Sequence, residues 1–274
     1  MENLHSPTEL DLALPDAVLI PACRKAVSDS LTPTLSLVNH GCERKLRDLA
    51  SAMRVRVPDP DPATEQQAHD FSDHDLADAS AEAKECLRAV ALRVLGLACG
   101  KNETSMGEEL QGWGVDLHGR LCLRQYPPMT DGKQMAPRLG AHIDNTLLTL
   151  LWADGPGLQV LDSDRAQAAG WTPQDILSFG LPTMMPVLGK ENGSEKEPPP
   201  LTNEHWATVD LDWARDPLLL TIGASWLQAE VVQGVCPAQC AALHRVVLPA
   251  DRSRYSLPFL CDFVQQMSTE APGG

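Results

Sequence analysis

The sequence predicts a mainly β protein with helices in its N-terminal part, one of them long and amphipathic and backing the sheets of a β-sandwich or jelly-roll barrel. Two observations predict it. Apolar residues recur every three or four positions over 76–97, the period of a helix with one buried face. From about residue 118 the apolar runs become short and are separated by Gly, Pro and Asp, the rhythm of antiparallel strands.

The 274 residues are within the reach of a single core, so one domain over 1–274 is expected, with a helical part over 1–117 and a β core over 118–265. Residues 55–73 are rich in proline and acid and read as a loop. The helix after it carries Leu76, Ala79, Ala83, Leu87, Val90, Val94 and Leu97 on one face, with Gly100 as its stop signal. Strands are expected at 121–126, 146–152, 157–162, 206–210, 217–223, 243–248 and 254–260. Residues 162–206 interrupt them as an insertion whose stretch 186–204 reads as an exposed loop, and 229–242 forms a smaller insertion.

Composition excludes several classes. The formal net charge is −15, and the pI near 4.8 argues against binding to phosphate backbones or anionic membrane surfaces, both of which need clustered Lys and Arg. At 43% hydrophobic residues the chain can bury a core, which excludes disorder throughout. The N-terminus lacks the basic and apolar regions of a signal peptide, and no apolar run is long enough to span a membrane, so a cytoplasmic protein is expected. Several of the eight cysteines lie in apolar runs, where a thiol behaves as a small hydrophobe and the compartment is reducing. Cys236 and Cys240 are the one closely spaced pair, and no second pair nearby completes a zinc site.

The chemistry concentrates in the β core. His142 and Asp144 are two positions apart, so on an extended strand both side chains leave the same face. One more nitrogen ligand would complete the 2-His-1-carboxylate face that holds non-haem Fe(II) with positions open. Alone the motif is weak, because a chain with eight His and many Asp forms such triplets by chance. His244 strengthens it, followed after a turn at 249–253 by Arg254 and Ser256 on the returning strand. Arg254 suits a buried carboxylate, since its planar fork binds bidentately and stays charged.

With these motifs the sequence resembles the Fe(II)- and 2-oxoglutarate-dependent dioxygenases of the isopenicillin N synthase-like class. Leu37-Val38-Asn39-His40-Gly41, Tyr126-Pro127, the stretch from Gly140 to Val160, and His244 with Arg254 and Ser256 follow the family's motifs in order along most of the chain. The resemblance implies a double-stranded β-helix (jelly-roll) core. It also implies an oxygenase that couples oxidative decarboxylation of 2-oxoglutarate to hydroxylation, desaturation or cyclisation of a small molecule, using Fe(II) and O2. His142, Asp144 and His244 would hold iron; Arg254, Ser256 and Tyr126 would bind 2-oxoglutarate; His40 would belong to a structural turn. A catalytically silent binding protein on the same fold is the alternative.

The departures are specific. Arg124 stands where the family usually has Asn, on the face of Tyr126, and could contact substrate, strengthen the cosubstrate site or lie outward in solvent. Asn145 follows the iron Asp where the family often has Tyr, which makes it a second candidate substrate contact. Eighteen residues follow Ser256, fewer than the family's helical lid needs, so the insertion 162–206 is expected to supply the cover.

Overall fold

The structure, a computed structural model, describes residues 4–28, 30, 33–56, 69–71, 77–126, 139–181, 200–247 and 253–265. In chain order the strands are β1 (Leu4–His5), β2 (Thr8–Asp11), β3 (Thr34–Val38), β4 (His69–Phe71), β5 (Val115–Leu121), β6 (Leu123–Tyr126), β7 (Leu139–His142), β8 (Leu148–Ala153), β9 (Leu158–Leu161), β10 (Trp206–Val209), β11 (Leu218–Ile222), β12 (His244–Val246) and β13 (Arg254–Gln265). The helices are α1 (Asp16–Ser28), α2 (Glu43–Arg56), α3 (Ala77–Cys99), α4 (Glu103–Gly112), α5 (Ser163–Ala168), α6 (Pro173–Gly180), α7 (Ala224–Gln228) and α8 (Glu230–Gln233).

These strands form two mixed sheets. One has the order β1-β10-β9-β12-β7; the other runs β2-β3-β11-β8-β13-β6-β4, with β5 also paired to β13. The two sheets face each other, and residues of both line one cavity between them. Strand alternation sorts the side chains of the larger sheet. On β13, Arg254, Ser256, Pro258 and Leu260 face the cavity, while Tyr255, Leu257, Phe259 and Cys261 join the apolar layer beneath the helices. On β8 the same rule sends Thr149 and Leu151 inward and Leu148, Leu150 and Trp152 outward.

Helix α3 is the expected backing helix. Ala83, Leu87, Val90, Val94 and Leu97 are buried on it, and Gly100 ends it with a left-handed φ of 74°. Ala79 is exposed instead, at the helix's first turns, and Leu76 lies outside the described residues.

Two expectations need correction. The part over 1–117 is not only helical: it contributes β1 to one sheet and β2, β3 and β4 to the other, and β5 begins at Val115. β3 is buried along its whole length between β2 and β11, and its alternation of Thr34 and Ser36 with Leu35 and Leu37 runs over too few residues to stand out as a strand. The strand carrying Arg254 does not return beside the strand carrying His244. β12 lies in the smaller sheet and β13 in the larger, so the two residues face each other across the cavity.

Cys42 and Cys86 form a disulfide with Cα atoms 5.8 Å apart, tying the start of α2 to α3. Cys23, Cys99, Cys122, Cys236, Cys240 and Cys261 are free. Cys236 and Cys240 are both buried, but in different apolar clusters. Among the described residues no helix is long and apolar enough to cross a membrane.

Candidate metal centre

The site begins with strand pairing. In the antiparallel pair β7/β12, His142 and His244 are direct partners, so both imidazoles leave the same face, with ring centroids 4.3 Å apart. Asp144 follows the end of β7 by two residues. His142 Nε2 is 3.6 Å from Asp144 Oδ1 and His244 Nε2 is 4.0 Å from Asp144 Oδ2. One ligand atom from each of the three lies within 4.8 Å of the others, and among the described residues no other such group of His, Cys, Asp and Glu occurs.

Hydrogen bonds aim these groups. His142 Nδ1 is 2.8 Å from the Gly140 carbonyl and His244 Nδ1 is 3.0 Å from the Ala242 carbonyl. A carbonyl only accepts, so each Nδ1 carries the proton and each Nε2 lone pair points to the common centre. Burial, and then the neighbouring His244, hold His142 below its ordinary pKa, favouring the neutral form that a metal needs. The Thr149 hydroxyl donates to Asp144 Oδ2 at 2.7 Å, which orients the carboxylate and leaves Oδ1 to the centre.

The backbone behind Asp144 is equally fixed. Ala224 N–H donates to the Asp144 carbonyl at 2.9 Å and Ser225 N–H to the Thr146 carbonyl at 3.1 Å, stitching this loop to the start of α7. Gly223 permits the approach, because a Cβ there would collide with the Thr146 carbonyl oxygen. Ile143, between the two ligands in sequence, points the other way into an apolar cluster with Trp171, Ile176 and Leu243. Its N–H donates to the Gly180 carbonyl at 3.3 Å. The described part of the 162–206 insertion therefore buttresses the ligand strand from behind, and none of its described residues lines the cavity. Residues 182–199, most of the predicted loop, lie outside the described residues.

The far wall comes from β6 and β13. Tyr126 stands opposite Arg254, and Arg124 opposite Ser256. Arg254 is 3% exposed; its Nε donates to the Gly155 carbonyl at 3.1 Å and its guanidinium lies 5.6 Å from the centroid of the Tyr126 ring. One terminal nitrogen, Nη2, is buried with no hydrogen-bond partner among the described residues. A buried orphan donor costs stability unless a ligand accepts from it. Burial lowers the Arg254 pKa, yet a guanidinium keeps its proton at any physiological pH. Leu139, Leu151, Leu158, Val246 and Leu260 complete a cavity of about 50 Å³.

Of the residues singled out in the sequence, His142, Asp144, His244, Tyr126, Arg254, Ser256 and Arg124 all line one cavity. Asn145 does not join them: it is exposed and does not line the cavity. His40 is structural. Its Nδ1 accepts from Cys42 N–H at 3.1 Å, so its Nε2–H donates to the Asp216 carbonyl at 2.9 Å. Sequence reasoning missed Thr149, Gly223 and the α6 buttress; a lone hydroxyl in the otherwise apolar run of β8 was the available signal for Thr149.

No protein-family model matches the chain, and no curated protein matches its sequence. Solved structures do resemble it. JOX2 in complex with 2OG, Fe and JA superimposes with a TM-score of 0.59 at 16% identity, covering 96% of this chain and 76% of that one. The 2-oxoglutarate complex of dioxygenase for auxin oxidation 1 from Arabidopsis thaliana gives 0.56 at 14%, over 97% and 96%. A putative oxygenase from Shewanella oneidensis gives 0.55 at 16%, over 94% and 90%. At these identities the likeness establishes the fold, and it agrees with the class that the sequence motifs resemble.

Proposed function

We propose that the protein is an Fe(II)- and 2-oxoglutarate-dependent oxygenase acting on a small organic molecule, and that its facing sheets are a double-stranded β-helix. The observation that carries the reading is the joint geometry of one cavity. Three convergent metal-ligand atoms lie on one side, and an arginine with a buried orphan donor lies on the other. The donor set fits Fe(II), since two neutral imidazoles and one carboxylate on one face leave the remaining positions open. Iron and 2OG in the JOX2 complex, and 2-oxoglutarate in the Arabidopsis one, support the same ligands here.

Each residue then has a task. His142 and His244 present fixed Nε2 lone pairs, and Asp144 presents the oxygen that Thr149 does not engage. Arg254 Nη2, with the Ser256 and Tyr126 hydroxyls, holds the carboxylate of 2-oxoglutarate far from the metal. The apolar lining keeps bulk water from the reacting atoms. Iron, when bound, supplies the activation of O2 that couples decarboxylation of 2-oxoglutarate to oxidation of the substrate.

Anaerobic titration with Fe(II) and 2-oxoglutarate tests the reading through the visible metal-to-ligand charge-transfer band. The band is expected in the wild type, absent in His142→Ala, and followed by succinate release on admitting O2. A band without succinate would favour a silent binding protein on this fold. Well-folded protein with no band would sink both.

A further inference from the structure

We propose that the cavity holds a second carboxylate subsite, at its metal end, whose cation is Arg124. The proposal rests on the iron and 2-oxoglutarate reading and deepens it.

Arg124 and Tyr126 are two apart on β6 and leave the same face. Across the β6/β13 pair the Tyr126–Arg254 rung and the Arg124–Ser256 rung are therefore one two-residue step apart, about 7 Å along the strands. All four residues line the cavity together with His142, Asp144 and His244. The two arginines address different ends of it. Arg254 is buried on the rung farther from the metal ligands, against the Tyr126 ring. Arg124 is half-buried, and its rung lies one step closer along β13 to Leu260, which pairs with Thr149, the residue that holds Asp144.

The cavity thus has two cationic poles, on neighbouring rungs of its wall, and leucine and valine side chains are part of the same lining. A partly buried guanidinium binds a carboxylate strongly, because fewer water molecules compete for it. Two carboxylates could take the Arg124 pole. One is the end of 2-oxoglutarate nearer the metal; the other is the acid group of an apolar-bodied substrate seated beside it.

The test uses equilibrium binding without turnover. Fe(II)-loaded wild type, Arg124→Met and Arg124→Lys are titrated anaerobically with 2-oxoglutarate, following the charge-transfer band. Hexanoate, with hexanamide as the uncharged control, is then added to the 2-oxoglutarate-saturated proteins. Arg124→Gln replaces the methionine variant if the latter melts early. A roughly ten- to hundredfold loss of 2-oxoglutarate affinity in Arg124→Met, partly recovered in Arg124→Lys, assigns the subsite to the cosubstrate. Unchanged 2-oxoglutarate affinity, with hexanoate but not hexanamide shifting the band only where Arg124 is present, assigns it to the substrate. An Arg124→Met protein equal to wild type in both titrations overturns the subsite alone. A wild type with no band overturns the iron reading, and the subsite with it.

Discussion

His244 stands directly opposite His142 across an antiparallel strand pair, and the two Nε2 atoms converge on the carboxylate of Asp144. Because a one-residue slip sends a side chain to the other face, this register is itself part of the candidate metal site. Each imidazole is further held by a carbonyl two residues before it, at Gly140 and at Ala242.

Thr149 orients Asp144 without reaching the centre itself. Thr149→Val is expected to weaken Fe(II) binding roughly ten- to a hundredfold while leaving the fold intact, and Thr149→Ser to restore most of the loss. Anaerobic metal titration beside a thermal melt reads both effects. Equal affinity in wild type and the valine variant would remove the orienting role.

Gly180 ends α6 against the back of both ligand strands. A Cβ there would lie 2.5 Å from Ile143 Cγ1 and 3.1 Å from Leu243 Cδ1, next to His142, Asp144 and His244. Gly180→Ala is expected to cost about 1–3 kcal/mol in urea unfolding, as overpacking does, and to weaken metal binding as well. A variant that loses stability but binds iron normally would show that α6 supports the fold and not the ligands.

The Cys42–Cys86 bridge closes a loop with a sequence separation of 44. Constraining the unfolded chain over such a loop is worth about 4 kcal/mol in the chain-entropy account. Thiol titration of the denatured, unreduced protein should find six free cysteines. The double variant Cys42→Ser/Cys86→Ser should unfold at lower urea. Eight titratable thiols in protein prepared without reductant would mean that the bridge does not form in solution.

His5 on β1 is held below its ordinary pKa by burial, partly offset by Asp162, and its Nε2 lies 2.7 Å from Thr34 Oγ1. With the folded pKa depressed, the unfolded chain takes up this proton first as the solution is acidified. The stability His5 contributes is therefore complete above its unfolded pKa, roughly 6.5. It is lost as pH falls from there through the lower, folded value. His5→Gln should flatten the stability profile over that window. An unchanged slope between pH 7 and 5 would mean that His5 titrates alike in both states.

The sequence by itself determined the local spacing of the candidate site residues. Arg254 and Ser256 share a face of β13 by strand alternation, His142 and Asp144 keep the same two-residue spacing across the end of β7, and the stripe from Ala83 to Leu97 follows from the helical period; these are local rules. Tertiary structure decided what depends on residues distant along the chain. β3 alternates Thr34 and Ser36 with Leu35 and Leu37, but so short a run does not mark a strand locally, and its place between β2 and β11 was chosen by packing. The strands of His244 and Arg254 join different sheets because their partners, β7 and β9 for one and β8 and β6 for the other, are chosen by packing across the whole chain. Packing also turned the insertion helix α6 toward Ile143, away from the cavity, and set Arg124 on the cavity wall while leaving Asn145 outside. Which side chains a cavity gathers is fixed by the register of many strands at once, and no local period encodes that.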